Sequence, residues 1–196
     1  MNPTQLSQEL RKGQSPDLTR RRWIIGLSIF GSAMGQLVAL YQTGIIPRLP
    51  DPPLPLIDSN KVDASDYAYK RFNTPDGLMM IATYAVTACL AGAGGKDRAR
   101  EQPLLPLAMG AKVLYDVMTT VRLGQEEWQE NKAFCIYCQA ATVATVASAA
   151  LAIPEVMHAI DALRGQPQAH TQPQPPTWQP TTAQPAPQRP QEPIFA

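Results

Sequence analysis

The sequence predicts an all-α protein: a four-helix transmembrane bundle with an outer lid loop and disordered termini. Three observations lead there. Four apolar stretches are each about as long as a helix needs to cross a bilayer. Basic residues gather in alternate connecting segments. The 20 prolines fall mostly in one long loop and in the C-terminal tail. The whole-chain averages, a mean hydropathy of −0.19 and a net charge of +1, blend these regions and resemble those of a soluble domain. They still exclude some classes. Near-neutral charge does not build the broad basic surface of a nucleic-acid binder. Three cysteines are too few for a disulfide-stapled scaffold, and two distant histidines make no histidine-rich metal centre.

Residues 1–19 are polar and read as a disordered cytoplasmic lead-in. Arg20-Arg21-Arg22 then precede an uncharged run from Trp23 to Ile46. That run is too long for the apolar core of a cleaved signal peptide and reads as a membrane span. Residues 47–76 form the long loop. Its first part, Pro47 to Pro55, is extended by its prolines. Its second part, Asp63 to Phe72, is expected to form a short amphipathic helix capped by Asp63 and anchored by Tyr67 and Phe72, a lid across the bundle mouth. Pro75 leads into the second span, uncharged from Gly77 to Gly95. The third, Pro103 to Leu123, carries Lys112, Asp116 and Arg122. The fourth, Phe134 to Ile153, ends at Pro154. Ala, Gly, Ser and Thr enrich the second and fourth spans, which favours close helix contact in lipid. The bundle domain therefore occupies residues 20–164, and residues 165–196 are a disordered Pro/Gln-rich tail holding nine prolines.

Charge sets the expected orientation. Arg20 to Arg22, and Lys96, Arg98 and Arg100 between spans two and three, fall on one side of a four-span bundle. The opposite connections are the mixed loop Arg48 to Asp76 and the acidic stretch Gly124 to Lys132. Both termini are then cytoplasmic. Trp23 and Trp128 fall at the expected membrane interfaces.

Cys135-Ile136-Tyr137-Cys138 is a C-x-x-C at the outward end of span four. At a helix N-terminus the dipole favours the first thiolate, and the two sulfurs can pair across one turn, which suits dithiol–disulfide exchange. A metal site would call for a second C-x-x-C or histidines, and no histidine follows Cys138 for haem attachment. Cys89 reads as a small packing residue. Lys112 and Asp116, four apart on one helix face, read as a neutralising pair that fixes packing rather than as a proton path, because nothing in the sequence brings them near the C-x-x-C.

Residues Ser59 to Ala68 and Ala133 to Cys138, in this topology, resemble the vitamin K epoxide reductase family over about Trp23 to Leu163. The resemblance implies a four-helix membrane bundle with a lid between spans one and two. It also implies a quinone substrate beside Cys138, and Cys135 as the cysteine that exchanges disulfides with a thioredoxin-like dithiol protein. Ser65, matching a lid serine, and Tyr137 are its candidate substrate-binding residues. A bacterial inner membrane is the implied location. The sequence departs from the family at the lid cysteine pair: Ser59 stands where the second would be, and no cysteine occurs before Cys89. A relay through lid cysteines therefore cannot operate. Two functions fit: a thiol–quinone oxidoreductase fed directly by an external dithiol, or a membrane scaffold or binding protein with a static C-x-x-C.

Overall fold

The computed structural model describes residues 2–165, so the expected disordered tail lies outside the described residues apart from Gly165. The described chain is helical: α1 (Pro3–Lys12), α2 (Pro16–Gln42), α3 (Ser59–Asp63), a 3-10 turn (Asp66–Tyr69), α4 (Asp76–Gly92), α5 (Arg98–Glu101), α6 (Leu104–Asn131) and α7 (Ile136–Leu163). The four longest of these form the expected bundle. α2 packs along α4 and α7, and α6 packs along α7. α2, α6 and α7 are each long and apolar enough to cross a membrane. Only 33, 22 and 28% of their most apolar stretches are buried, so most of that apolar surface faces outward, as lipid-facing helices require. α4 has 17 residues, at the short end of what can span.

Several boundaries differ from the sequence expectation. Part of the lead-in over residues 1–19 is helix. Asn2 and Gln5 form a capping box at the start of α1, and Ser15-Pro16 starts α2 well before the apolar run. Asp63 does not cap a lid helix; it ends α3, whose cap is Asp58. The residues from Asp66 on form a tighter 3-10 turn, and Phe72 and Asn73, both at positive φ, turn the chain toward α4. The acidic stretch after Leu123 is not a loop. Its Gln and Glu residues are good helix formers and extend α6 to Asn131, where Lys132 caps it in the left-handed region. Pro154 does not end the last span. α7 continues through it to Leu163 because Ala152, Glu155 and Ala159 are buried on both sides of the missing hydrogen bond. At its other end α7 begins at Ile136, leaving Cys135 ahead of the helix as its N-cap.

Small residues let α2 and α4 approach closely. The Tyr84 ring lies over Gly31, and a Cβ at Gly77 would stand 2.6 Å from the Ala39 nitrogen. The Tyr84 hydroxyl donates to Ala141 O (2.5 Å) and lies 2.7 Å from Thr145 Oγ1, tying α4 to α7.

Two arginines from the expected basic clusters are interior. Arg21 donates to the carbonyls of Ala91, Ala93, Gly94 and Gly95 at 2.7–2.9 Å. Arg98 donates to Leu90 O (2.6 Å) and Ala93 O (2.7 Å) and grips Glu155 through both carboxylate oxygens, at 2.7 and 2.8 Å. The side chains of this pair are 0 and 2% exposed. Removing one partner leaves the other charge buried and unpaired, which costs roughly 3–5 kcal/mol. Glu155→Ala is therefore expected to lower the unfolding temperature of the detergent-solubilised protein sharply. Glu126→Ala, which breaks the more exposed pairs to Arg71 and Arg122, is expected to change it by far less.

Candidate functional site

The lid is stitched to the turn between α6 and α7. Phe134 N donates to Leu56 O (2.7 Å) and Asp58 N donates to Phe134 O (3.1 Å), making a short parallel bridge between Ile57 and Phe134. The Ser59 hydroxyl accepts from Ile136 N at 3.0 Å, and Lys61 Nζ donates to Asn131 O at 2.8 Å. From inside the bundle, Glu127 of α6 accepts the Cys135 N–H, while Gln139 Nε2 donates to its other oxygen at 3.3 Å. The Cys138 N–H points back at Cys135 Sγ, 3.3 Å away. The C-x-x-C thus sits on a first helical turn fixed from both sides. None of the three cysteines is in a disulfide in this structure.

The two sulfurs differ in their surroundings. Cys135 is fully covered, packed with Val38, Val62 and Ala133 beneath the lid. Cys138 is partly buried and lines a cavity of about 270 Å³ between α4, α6, α7 and the lid. That volume lies near the lower end of ligand pockets and suits a single ring system. Met79, Met80 and Leu123 supply apolar wall, and Tyr84, Thr142 and Glu127 supply polar atoms.

Burial opposes a Cys135 thiolate, but the polar groups of Cys138, Asp63 and Ser59 beside it outweigh burial and bring the thiol down to about 7. Asp63 behaves in the opposite way. Its side chain is buried under the lid, and burial first, then the neighbouring Cys135, push its carboxyl up to about 10. A carboxyl oxygen of Asp63 and the sulfurs of Cys135 and Cys138 lie within 4.8 Å of one another.

Of the site residues expected from sequence, the structure brings Cys135 and Cys138 together. It does not bring Ser65 or Tyr137 to the cavity wall. Ser65 Oγ donates to Val62 O at 2.6 Å, and the Tyr137 hydroxyl donates to Pro50 O at 2.5 Å, so both hold the lid's own backbone. Lys112 and Asp116 form the expected pair at 2.5 Å, with Lys112 also donating to Thr83 and Thr87. Contrary to the expectation that nothing links this pair to the C-x-x-C, Asp116 and Thr83 line the cavity that reaches Cys138. Glu127 and Asp63 were not singled out from sequence as site residues. For Glu127 a signal existed: Asp116, Thr120, Leu123 and Glu127 continue one helical face past the end of the apolar run.

A model of the vitamin K epoxide reductase family matches residues 22–153. No curated protein matches the chain.

The lid is held without a covalent bond, so weakening one latch should expose Cys135. Tyr137→Phe removes a hydrogen bond of about 0.5–1.5 kcal/mol. The expected result is a roughly two- to tenfold faster reaction of Cys135 with a water-soluble thiol reagent, read peptide by peptide by mass spectrometry.

Proposed function

The chain belongs to the vitamin K epoxide reductase family, and we propose that it works as a membrane thiol–quinone oxidoreductase in which the C-x-x-C takes electrons from an external dithiol and reduces a quinone. The observation that carries this reading is Cys138 in the wall of a ring-sized cavity, one helical turn from a buried Cys135 that favours the thiolate.

In the reductive half, Cys138 Sγ adds to a carbon of the quinone ring and its thiol proton passes to a quinone oxygen. The Cys135 thiolate then attacks Cys138 Sγ. The S–S bond forms, the S–C bond breaks, and the electron pair stays with the ring. A second proton completes the hydroquinone, and the wall carboxyls Glu127 and Asp116 are the groups through which it can enter. One thiolate, one thiol, a quinone and a proton give one disulfide and one hydroquinone. In the return half, a dithiol reduces the disulfide by two exchanges and is itself left as a disulfide. Ser59 occupies the seat beside Cys135 that a lid cysteine would need, so the dithiol partner, of thioredoxin-like chemistry, reaches the C-x-x-C only when the lid opens.

The orientation that goes with this reading is both termini cytoplasmic and the C-x-x-C outward, in a bacterial inner membrane. Arg22, Lys96 and Arg100 support it: they are exposed near the end opposite the C-x-x-C, whereas Arg21 and Arg98 are buried. The competing reading, a membrane binding protein without turnover, draws on the closed lid and its lack of cysteine.

The purified protein, given a soluble quinone and a dithiol, separates the two. Cys138→Ala and Cys135→Ala are each expected to reduce quinone turnover at least a hundredfold, with Cys89→Ala within about twofold of the unchanged chain. Quinone reduction that survives loss of both C-x-x-C cysteines, or that is absent from the unchanged protein, favours the binding protein.

A further inference from the structure

Asp63 is the one lid side chain beside the sulfurs whose polar atoms are unmet. Its side chain is 1% exposed, and neither carboxyl oxygen has a hydrogen-bond partner. Nearby backbone groups are taken: Cys135 N–H by Glu127, Ile136 N–H by Ser59, Cys138 N–H by Cys135 Sγ. The sulfurs of Cys135 and Cys138 lie within 4.8 Å of an Asp63 carboxyl oxygen. The titratable groups that bear on Asp63 are Cys135 and Cys138 on the α7 side, Asp76 of α4, Glu127 of α6, and Tyr69 and Tyr137. None of these is a cation. An ionised Asp63 would therefore be buried among acids with no counter-charge, whereas a neutral carboxylic acid brings one O–H donor to the neighbourhood of the two sulfurs.

We propose that Asp63, held as a neutral acid by the closed lid, is the hydrogen-bond donor that keeps Cys135 as a thiolate. The proposal rests on the thiol–quinone reading for its use, though not for its test. In the reductive half the Cys135 thiolate is the nucleophile that attacks Cys138 Sγ and closes the disulfide. In the return half the dithiol attacks Cys135 with the lid open, and Cys135 departs as a thiolate in the second exchange and regains its donor when the lid closes. The acid proton of Asp63 stays on its oxygen in both steps, so no other acid or base is called for. Stabilising the thiolate also stabilises the reduced pair, which makes the disulfide a stronger oxidant of its dithiol. Because Asp63 ends α3, this donor is withdrawn whenever the lid opens, so thiolate and lid are coupled.

Titration of the thiolate by its ultraviolet absorbance tests this. The Cys89→Ala background of the full chain is used, and Asp63→Asn and Asp63→Leu are compared with it. The asparagine amide still donates but cannot ionise, so its midpoint should stay close to that of the unchanged site. Leucine has nearly the same shape and no donor. Its midpoint should rise by about one pH unit or more, a tenfold loss of thiolate at fixed pH. Its equilibrium with a dithiol buffer should move toward the disulfide by a similar factor. Were Asp63 an anion, Asp63→Asn would remove a like charge and the midpoint would fall. That fall, or an Asp63→Leu midpoint equal to the unchanged one, overturns the proposal. If Asp63→Leu does not accumulate, Asp63→Val takes its place. The titration contains no quinone, so its failure leaves the turnover result standing, and a failed turnover assay leaves the titration standing.

Discussion

The bundle depends on how one short helix ends. α4 stops at Gly92 inside the protein, and a helix C-terminus leaves its last carbonyls without intrahelical donors. In an apolar setting each unmet carbonyl costs free energy comparable to a lost hydrogen bond. Arg21 from α2 and Arg98 from α5 supply donors to the carbonyls of Leu90, Ala91, Ala93, Gly94 and Gly95, and Glu155 of α7 balances Arg98. Three helices are thereby keyed to the end of a fourth. With α4 fixed at that depth, Thr83 and Tyr84 face Asp116 and Thr145, and the gap left above them is the cavity that reaches Cys138.

The opposite end follows a different rule. Around the C-x-x-C the backbone is met by side chains from two directions, the lid and α6, so neither the lid nor the turn after Asn131 holds its shape alone. Asp63 is a buried acid there with neither carboxyl oxygen partnered. An unmet buried polar group costs on the order of 1–3 kcal/mol. A hydrophobic residue of the same shape would pack there at less cost, so Asp63 works against stability at the one place where sulfur chemistry is concentrated. Arg98 and Glu155 are as deeply buried, yet each is fully paired. The two ends thus contrast a fully paired buried ion pair with an unpaired buried acid.

The sequence made the bundle legible because lipid-facing helices are apolar on almost every side, and that signal does not depend on knowing which residues touch. It also placed the C-x-x-C at a helix start, since Cys135 caps α7 as the spacing implies. Boundaries were less legible where tertiary contacts override local signals. Pro154 would stop an isolated helix, but Glu155 and Ala159 are anchored beyond it. Arg21 and Arg98 read as loop charges, and only the course of α4 shows them to be interior donors. Asp63 has the composition of an N-cap and the position of a core residue, a distinction that depends on how the lid folds over Cys135. Ser65 and Tyr137 carry polar groups near the right places, yet those groups are spent on Val62 and Pro50.

Serine at position 59 changes what the lid can be. A cysteine there could bond covalently to Cys135, and the lid would then be locked or released by redox state. A serine can only hydrogen-bond, so closure rests on non-covalent contacts: the bridge at Phe134, the Ser59, Lys61 and Tyr137 latches, the Tyr41, Tyr67 and Tyr69 hydroxyl bonds, and buried Val62 and Tyr67. Each hydrogen bond is worth roughly 0.5–1.5 kcal/mol net, and the ordering of the lid offsets part of that. Opening then requires no covalent bond to be broken, only these contacts to be lost together. On the proposed reading a dithiol would use that opening to reach the C-x-x-C, whereas the cavity meets Cys138 from the bundle side with the lid closed. On that reading, geometry alone divides access for the two proposed half-reactions, without a second pair of cysteines.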